Sequence, residues 1–299
     1  MFVDQFMRFV RKPAAEKQLT LRFFVRKELS RLPLVPIHLR LAVAPGENLG
    51  FWWSCFPMEH HSERDLLEYW GTDRGELRFL WQYLSAGMVF FDVGAYRGIF
   101  SLVAAKKLAS QGQVVAFEPS QRERRHFEFH IRWNRLRNIR LEPYAVSSSG
   151  GNLTFFTVAS GPTTMNSLKR PPIECALRET NVDAIPLDQY LSEHKISQID
   201  VMKIDVEGGE LEAFRGAKRM LSTIRPMLIC EVLDWVTQPW GYPARDIVGC
   251  LQQQGYEWFD FHDDGTISPH AERDLYPEVR NYLAVPREKL ALVERWQRP

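Results

Sequence analysis

The stretch Val201–Glu210 places Lys203, Asp205, Glu207 and Glu210 close together at the end of an apolar run. Four charges in so short a stretch are costly to crowd unless they pair, stay wet or work. Carboxylates beside an ammonium group suit general acid–base chemistry: one carboxylate takes a proton while the lysine orients it or tunes its pKa. Lys203, Asp205 and Glu207 share a parity, so an extended backbone would aim all three to one side. The competing reading is a hydrated loop with internal salt bridges. A second set lies earlier, in Val89-Phe90-Phe91-Asp92-Val93-Gly94-Ala95-Tyr96-Arg97-Gly98. Here an acid ends an apolar run, and two glycines follow that would let backbone approach a ligand closely. The bland alternative is a turn whose glycine packs a helix. A third acid, Glu118, ends Gln113-Val114-Val115-Ala116-Phe117. A carboxylate at the end of the second strand of a βαβ unit is placed to accept both hydroxyls of a ribose; otherwise it is a solvent-facing strand end.

These residues need elements to hold them. The run ending at Val93 is apolar on both faces, as a central parallel strand must be. A helical pattern opens at Ile99, a second strand covers 113–119, and a helix runs through Phe127, Ile131 and Asn134. A third strand is expected over Ile139–Val146, its far end placing Ala145 and Val146 where they would line an adenine or join the core. Residues 147–187 break the alternation. Leu153–Val158 reads as an extra strand and Thr163–Ser167 as a polar loop, an insertion that either overhangs the site or is a plain hairpin. A strand over 199–206 follows, then a helix stopping near Gly216, a strand over Met227–Val232 ending in Glu231, and a helix near 244–253. Tyr256–Phe261 and Asn281–Val285 read as antiparallel terminal strands. Leu77, Leu80, Trp81 and Leu84 mark a helix that leads into the central strand.

The 299 residues are 45% apolar, enough for a sizeable core, and carry a net charge of +1, which makes no global case for nucleic acid. Cys55, Cys175, Cys230 and Cys250 form no CxxC pair and read as reduced thiols of a cytoplasmic protein. No apolar run approaches the ~20 residues that span a bilayer. Residues 1–45 are basic (Arg8, Arg11, Lys12, Lys17, Arg22, Arg26, Lys27, Arg31 and Arg40), with apolar residues interleaved. An amphipathic lead-in helix and a short strand over Ile37–Val43, packed on the main domain, are expected there; the competing reading is a surface for an anionic partner or membrane. Residues 46–75, rich in glycine and aromatics, read as an irregular cap beside the site. His60-His61 is not read as a metal pair, because adjacent side chains diverge.

Taken together, FFDVGAYRGIFS, VVAFEPS, Asn134 before Asn138-Ile139, DVMKIDVEGGELEAFRGA, RPMLICEV, GYEWFDF and NYLAV resemble a class I S-adenosylmethionine-dependent methyltransferase, and more narrowly the FkbM family, from about residue 77 to 286. The resemblance implies an α/β fold: a Rossmann-like open sheet, mostly parallel with an antiparallel terminal strand, plus a β insertion after the third strand. It divides the chain into a basic lead-in and aromatic cap at 1–75 and a methyltransferase domain at 76–299. It implies S-adenosylmethionine as cofactor, contacted by Asp92, Gly94, Ala95, Tyr96, Gly98, Glu118, Pro119, Ser120, Ala145 and Val146. Asp92 would anchor the methionine amino end and Glu118 the ribose. It implies O-methylation of a small-molecule or carbohydrate hydroxyl, with Asp205 or Glu207 orienting or deprotonating the acceptor and Lys203 supporting them. No metal is assigned; Asp205, Glu207 and Glu231 are the set a divalent ion would use. The family usually has Asn where this chain has Tyr96, and a phenol there would replace the small polar group or partly fill the pocket. Two other classes compete. A nicotinamide oxidoreductase lacks support, because the turn is GxxxG and there is no Tyr-x-x-x-Lys pair. A non-catalytic binding or scaffold protein on the same fold is the alternative Tyr96 keeps open. A homo-oligomer is left open.

Overall fold

The computed structural model describes residues 37–41, 51–55, 74–159 and 163–298. Its centre is an eight-stranded sheet built from β3 (Val89–Val93), β4 (Gln113–Phe117), β5 (Ile139–Glu142), β9 (Val201–Ile204), β10 (Met227–Glu231), β11 (Tyr256–Phe261), β12 (Ile267–Pro269) and β13 (Asn281–Pro286). The order is β12-β11-β13-β10-β9-β3-β4-β5. Strands β5, β4, β3, β9 and β10 run parallel, and β13 lies antiparallel between β10 and β11. This is the expected open, mostly parallel sheet. Chain order reverses at β3, which pairs β4 on one side and β9 on the other, and open α/β sheets bind ligands at such a point.

The strands alternate between two cores. Phe90, Val114, Ala116, Val201 and Ile229 face one, with α1 (Arg74–Tyr83) and α2 (Ile99–Leu108). Phe91, Val93, Val115, Phe117, Met202 and Leu228 face the other, with α4 (Leu187–Glu193), α5 (Glu210–Arg215) and α6 (Arg245–Gln252). Helix α3 (Gln121–Trp133), whose Phe127 packs in the first core, follows β4, its first turn capped by Ser120, whose hydroxyl accepts from the Glu123 N–H. Helix α5 ends at Gly216, as expected.

Three expectations change. The strand expected over 139–146 is two pieces: β5 stops at Glu142, and β6 (Ala145–Val146) joins a separate three-stranded sheet. Pro143 has no N–H to continue a ladder and fixes its own φ, so the chain turns off there. The insertion holds two strands, not one: β7 (Gly151–Val158) and β8 (Leu177–Ile185) pair antiparallel, and β8 then pairs parallel with β6. In the N-terminal region, residues 42–43 of the expected strand lie outside the described residues, and β1 (Ile37–Leu41) pairs with β2 (Phe51–Cys55). That part of the expected irregular cap is therefore a regular strand. Trp53 of β2 is buried in the first core and stacks on His130 of α3, with ring centroids 4.1 Å apart. The basic lead-in helix, His60-His61 and Tyr69-Trp70 lie outside the described residues. No helix among the described residues is long and apolar enough to cross a membrane, and Cys175, Cys230 and Cys250 are free thiols.

The two glycines of the first turn serve the protein's own packing. Gly98, at φ +90°, would place a Cβ 2.1 Å from the Phe127 ring of α3. Gly98→Ala is therefore expected to cost about 2–5 kcal/mol, adding the left-handed backbone penalty to overpacking. Gly87 has a similar φ of +87° but open space around it, so Gly87→Ala should cost only about 1–2 kcal/mol. Denaturant unfolding of both variants checks this; equal losses would remove the Phe127 contact from the account.

Candidate functional site

At the carboxyl ends of β3, β4 and β9 lies an open cleft. One part is walled by Gly94, Ala95 and Tyr96 after β3, by Phe117, Glu118 and Pro119 after β4, and by Tyr144, Ala145 and Val146. The other is walled by Phe100, Phe155, Thr164, Asn166, Ser167, Leu168, Lys203, Asp205, Glu207 and Trp240. The acid–base cluster and the ribose-type carboxylate thus share one cavity.

Glu118 is 5% exposed. Its Oε2 accepts from the Tyr96 N–H at 2.8 Å and its Oε1 from the Ser120 N–H at 2.7 Å. Each oxygen keeps a lone pair for another donor. Burial pushes this carboxyl from its ordinary 4.5 to about 8, against the two N–H bonds, which favour the charged form. Tyr96 sits at φ 51°, the left-handed region that asparagine tolerates best among side-chain-bearing residues. Tyr96 lines the cavity, and the Arg97 guanidinium carbon lies 5.2 Å from its ring centroid.

Asp92, Gly98 and Ser120 stand behind the wall. Asp92 is 1% exposed, and its Oδ2 accepts from the Ser101 N–H at 3.1 Å and the Ser101 hydroxyl at 2.6 Å. It therefore caps α2, whose first residue follows a glycine that has no side chain to do so. Its Oδ1 is buried without a partner, and burial raises its pKa. Gly94 does reach the cavity, but its lack of a Cβ is also required by the protein: a Cβ there would sit 1.8 Å from the Asp205 carbonyl oxygen.

Lys203 lies beside Asp92 across the parallel pair and faces α2, its Nζ 4.8 Å from the Phe100 ring centroid. It donates to Asp205 Oδ2 at 2.8 Å. The parity argument does not hold, because β9 ends at Ile204 and Glu207 adopts φ 56°. A tight turn, not an extended strand, brings Lys203, Asp205 and Glu207 to the same cavity. Burial, then the nearby Asp205 and Glu210 charges, pushes the Glu207 carboxyl well above its ordinary range. Glu231 is raised for the same kind of reason, and burial raises Glu210 to about 7. Glu210 accepts the Val206 N–H at 2.9 Å, so it closes the turn from beneath. Among the described residues, no group of three or more His, Cys, Asp or Glu is arranged to hold a metal ion.

Sequence reasoning missed Tyr144, Phe155, Leu168 and Trp240. Trp240 had a faint signal, in Gln238-Pro239-Trp240-Gly241 after β10, a turn that exposes an aromatic ring. The polar loop does overhang the site. Phe156 and Ser167 exchange backbone hydrogen bonds at 2.8 and 3.1 Å, and Asn166 Oδ1 accepts the Val158 N–H at 2.9 Å, which pins the loop to β7. The Ser167 hydroxyl then donates to the Glu207 carbonyl at 3.0 Å.

The family described as "Methyltransferase FkbM domain" matches residues 92–283. Comparison with curated proteins returned no match. Among solved structures, a methyltransferase FkbM from Methylobacillus flagellatus is similar at 14% identity and TM-score 0.44, covering 74% of this chain and 52% of its own. The chain thus spans about half the length of that protein. A precorrin-6y C5,15-methyltransferase from Geobacter metallireducens is similar at 13% identity and TM-score 0.41, covering 72% and 87%. An O-methyltransferase from Bacillus cereus in complex with SAH is similar at 14% identity and TM-score 0.43, covering 72% and 80%.

The raised Glu118 carboxyl has a stability consequence. Its folded value lies above its unfolded one, so its contribution is full below pH 4.5 and is lost as pH rises toward about 8. Denaturant unfolding of the ligand-free protein across that window should show stability falling with pH, and Glu118→Gln should make the fall shallower. An unchanged slope in the variant would mean Glu118 titrates normally.

Proposed function

The chain belongs to the FkbM methyltransferase family, and from that premise we propose that it moves a methyl group from S-adenosylmethionine to a hydroxyl of a carbohydrate or small natural product. The observation that supports this most directly is that Glu118 and the Lys203–Asp205 pair open into one cavity. The balanced net charge favours a small or carbohydrate acceptor over a nucleic acid. The methyltransferase domain is placed at 76–299, and the protein is taken as cytoplasmic.

The residues fit the cofactor. Both Glu118 oxygens retain acceptor capacity toward the cavity, suited to the two ribose hydroxyls. Ala145 and Val146 line the cavity together with Phe117, Pro119 and Tyr144, a largely apolar wall suited to a purine. Gly94, Ala95 and Tyr96 offer backbone to the methionine end, while Asp92, Gly98 and Ser120 hold this wall from behind. When bound, the cofactor supplies a methyl already activated on a sulfonium sulfur.

Two tasks remain for the chain: placing the acceptor oxygen in line and removing its proton. Asp205 is assigned the proton, with Lys203 fixing one of its oxygens so that the other is free to face the acceptor. Glu207, its proton retained by burial and by the acids around it, is assigned a hydrogen bond that orients the acceptor. As the acceptor oxygen takes up the methyl group, its hydroxyl proton would pass to Asp205, which Lys203 holds in place.

Asp205→Asn keeps the shape and removes the base. Turnover is expected to fall at least a hundredfold, the lower range for general base catalysis, while calorimetric affinity for S-adenosylhomocysteine changes less than threefold. Unchanged turnover would remove Asp205 from the role. Binding without turnover in the parent protein, on any acceptor, would favour the scaffold reading that Tyr96 sustains.

A further inference from the structure

Helix α3 has two unlike faces. Glu123, Phe127, His130 and Asn134, three or four residues apart, are buried. The opposite face carries Arg125, Phe129, Arg132 and Trp133 at the same kind of spacing. Arg125 and Arg132 are exposed, as are Arg135 and Arg137 in the turn after the helix. Phe129 is 38% exposed, its ring centroid 5.2 Å from that of Trp133. The other arginines of the helix are engaged: Arg122 with Glu123 and the Val158 carbonyl, Arg124 with the carbonyls of Glu118 and Pro119. Of the helix's two acids, Glu123 is buried, and only Glu128 is exposed near the outer arginines.

We propose that the outer face of α3 docks on an anionic membrane surface, the four arginines on lipid headgroups and the two aromatic rings at the headgroup boundary. Charge and residue type both support this. Guanidinium groups pair with phosphate oxygens, and tryptophan and phenylalanine suit the boundary between headgroups and acyl chains. A single-stranded nucleic acid is held in a groove that tracks its backbone, whereas this is the convex outer side of one helix. Residues 1–36 hold eight lysines and arginines against three acids. They lead into the β1–β2 hairpin, which packs on α3 where Trp53 stacks on His130. The chain therefore enters the fold from a basic segment close to the same helix. The docking is peripheral and independent of the methyl-transfer reading. Helix α3 starts at Gln121, just after Glu118 and Pro119 of the cavity wall, so docking would bring the cleft close to the bilayer.

The test is co-sedimentation of the full chain with vesicles of phosphatidylcholine alone and of phosphatidylcholine mixed with phosphatidylserine, at low and high salt. Binding is expected to the mixed vesicles only, and to weaken as salt rises. Each arginine near the surface is worth about fivefold in affinity, so a chain carrying Arg125→Ala, Arg132→Ala and Arg137→Ala together should lose about a hundredfold. Its denaturant midpoint should match the parent's, and lysine at the same three positions should restore binding. Glu128→Lys should tighten binding by more than about fivefold, a gain that misfolding cannot produce. Phe129→Ser should weaken binding by the same factor at both salt concentrations. Equal binding to neutral vesicles, an affinity indifferent to the three arginines, or no binding to either vesicle would each overturn the proposal. The same chains are titrated with a single-stranded RNA and with poly-glutamate. Arginine-dependent binding of either one, with none to vesicles, would assign the face to that class of partner and overturn the membrane reading.

Discussion

Everything in the site depends on how closely two turns approach each other. The chain leaves β3 at Gly94 and leaves β9 at Asp205, and the two exits touch: the Asp205 N–H donates to the Val93 carbonyl at 3.0 Å, and only a hydrogen fits where Gly94 would carry a Cβ. The Gly94 and Ala95 N–H groups meanwhile bond the Phe117 carbonyl at the end of β4, at 3.1 and 2.9 Å. Three strand ends are thereby tied into one rim. Any residue larger than glycine at 94 would push β9's turn outward and carry Asp205 with it. Misplacement of a reacting group by about 1 Å can cost ~10²-fold in rate. The glycine therefore belongs to the chemistry through geometry as well as through the backbone it presents to the cavity.

That closeness creates an electrostatic debt. Asp92, Glu207 and Glu231 lie where Lys203's charge favours their ionised forms, and Lys203 donates directly to Asp205. Burial raises the carboxyls of Asp92, Glu207, Glu210 and Glu231 above their ordinary ranges. Lys203 bonds Asp205, so Asp205 and Glu207 meet different surroundings although their side chains are alike. Divergent environments of this kind are how one pocket holds both an acceptor of protons and a donor of hydrogen bonds.

The sheet was readable because its strands are short apolar runs that end in acids, and the helices between them keep a 3.6-residue period. Glu118 was readable for the same reason: it stands at a strand end. Lys203, Asp205 and Glu207 were found by composition, but the reason given for their convergence failed. A parity rule holds only while the backbone stays extended, and Glu207 at φ 56° leaves that region. Strand β8 was hidden because it is polar and exposed on both faces over Arg178, Glu179, Thr180 and Asn181, so no apolar alternation marks it. Trp240 was hidden because its role is set by a partner far away in sequence, the Glu207 carbonyl, and no local pattern encodes such a pairing.

The first turn has a second support, on the side away from the ligand. Arg97 and Glu123 form an ion pair at 2.6 Å with neither side chain exposed, and the Arg97 carbonyl lies 3.0 Å from His130 Nδ1, the ring on which Trp53 stacks. A buried ion pair adds little net stability, because the desolvation of both charges nearly cancels their attraction. Losing one partner is another matter, since about 3–5 kcal/mol follows from the stranded charge. The pair therefore acts as a constraint more than as a source of stability. Wherever α3 goes, Arg97 must follow, and the neighbouring Tyr96 N–H stays on Glu118. Through His130 and Trp53 the same constraint reaches the N-terminal hairpin. That hairpin contributes no described residue to the cavity wall, yet its placement bears on the turn that forms one side of it.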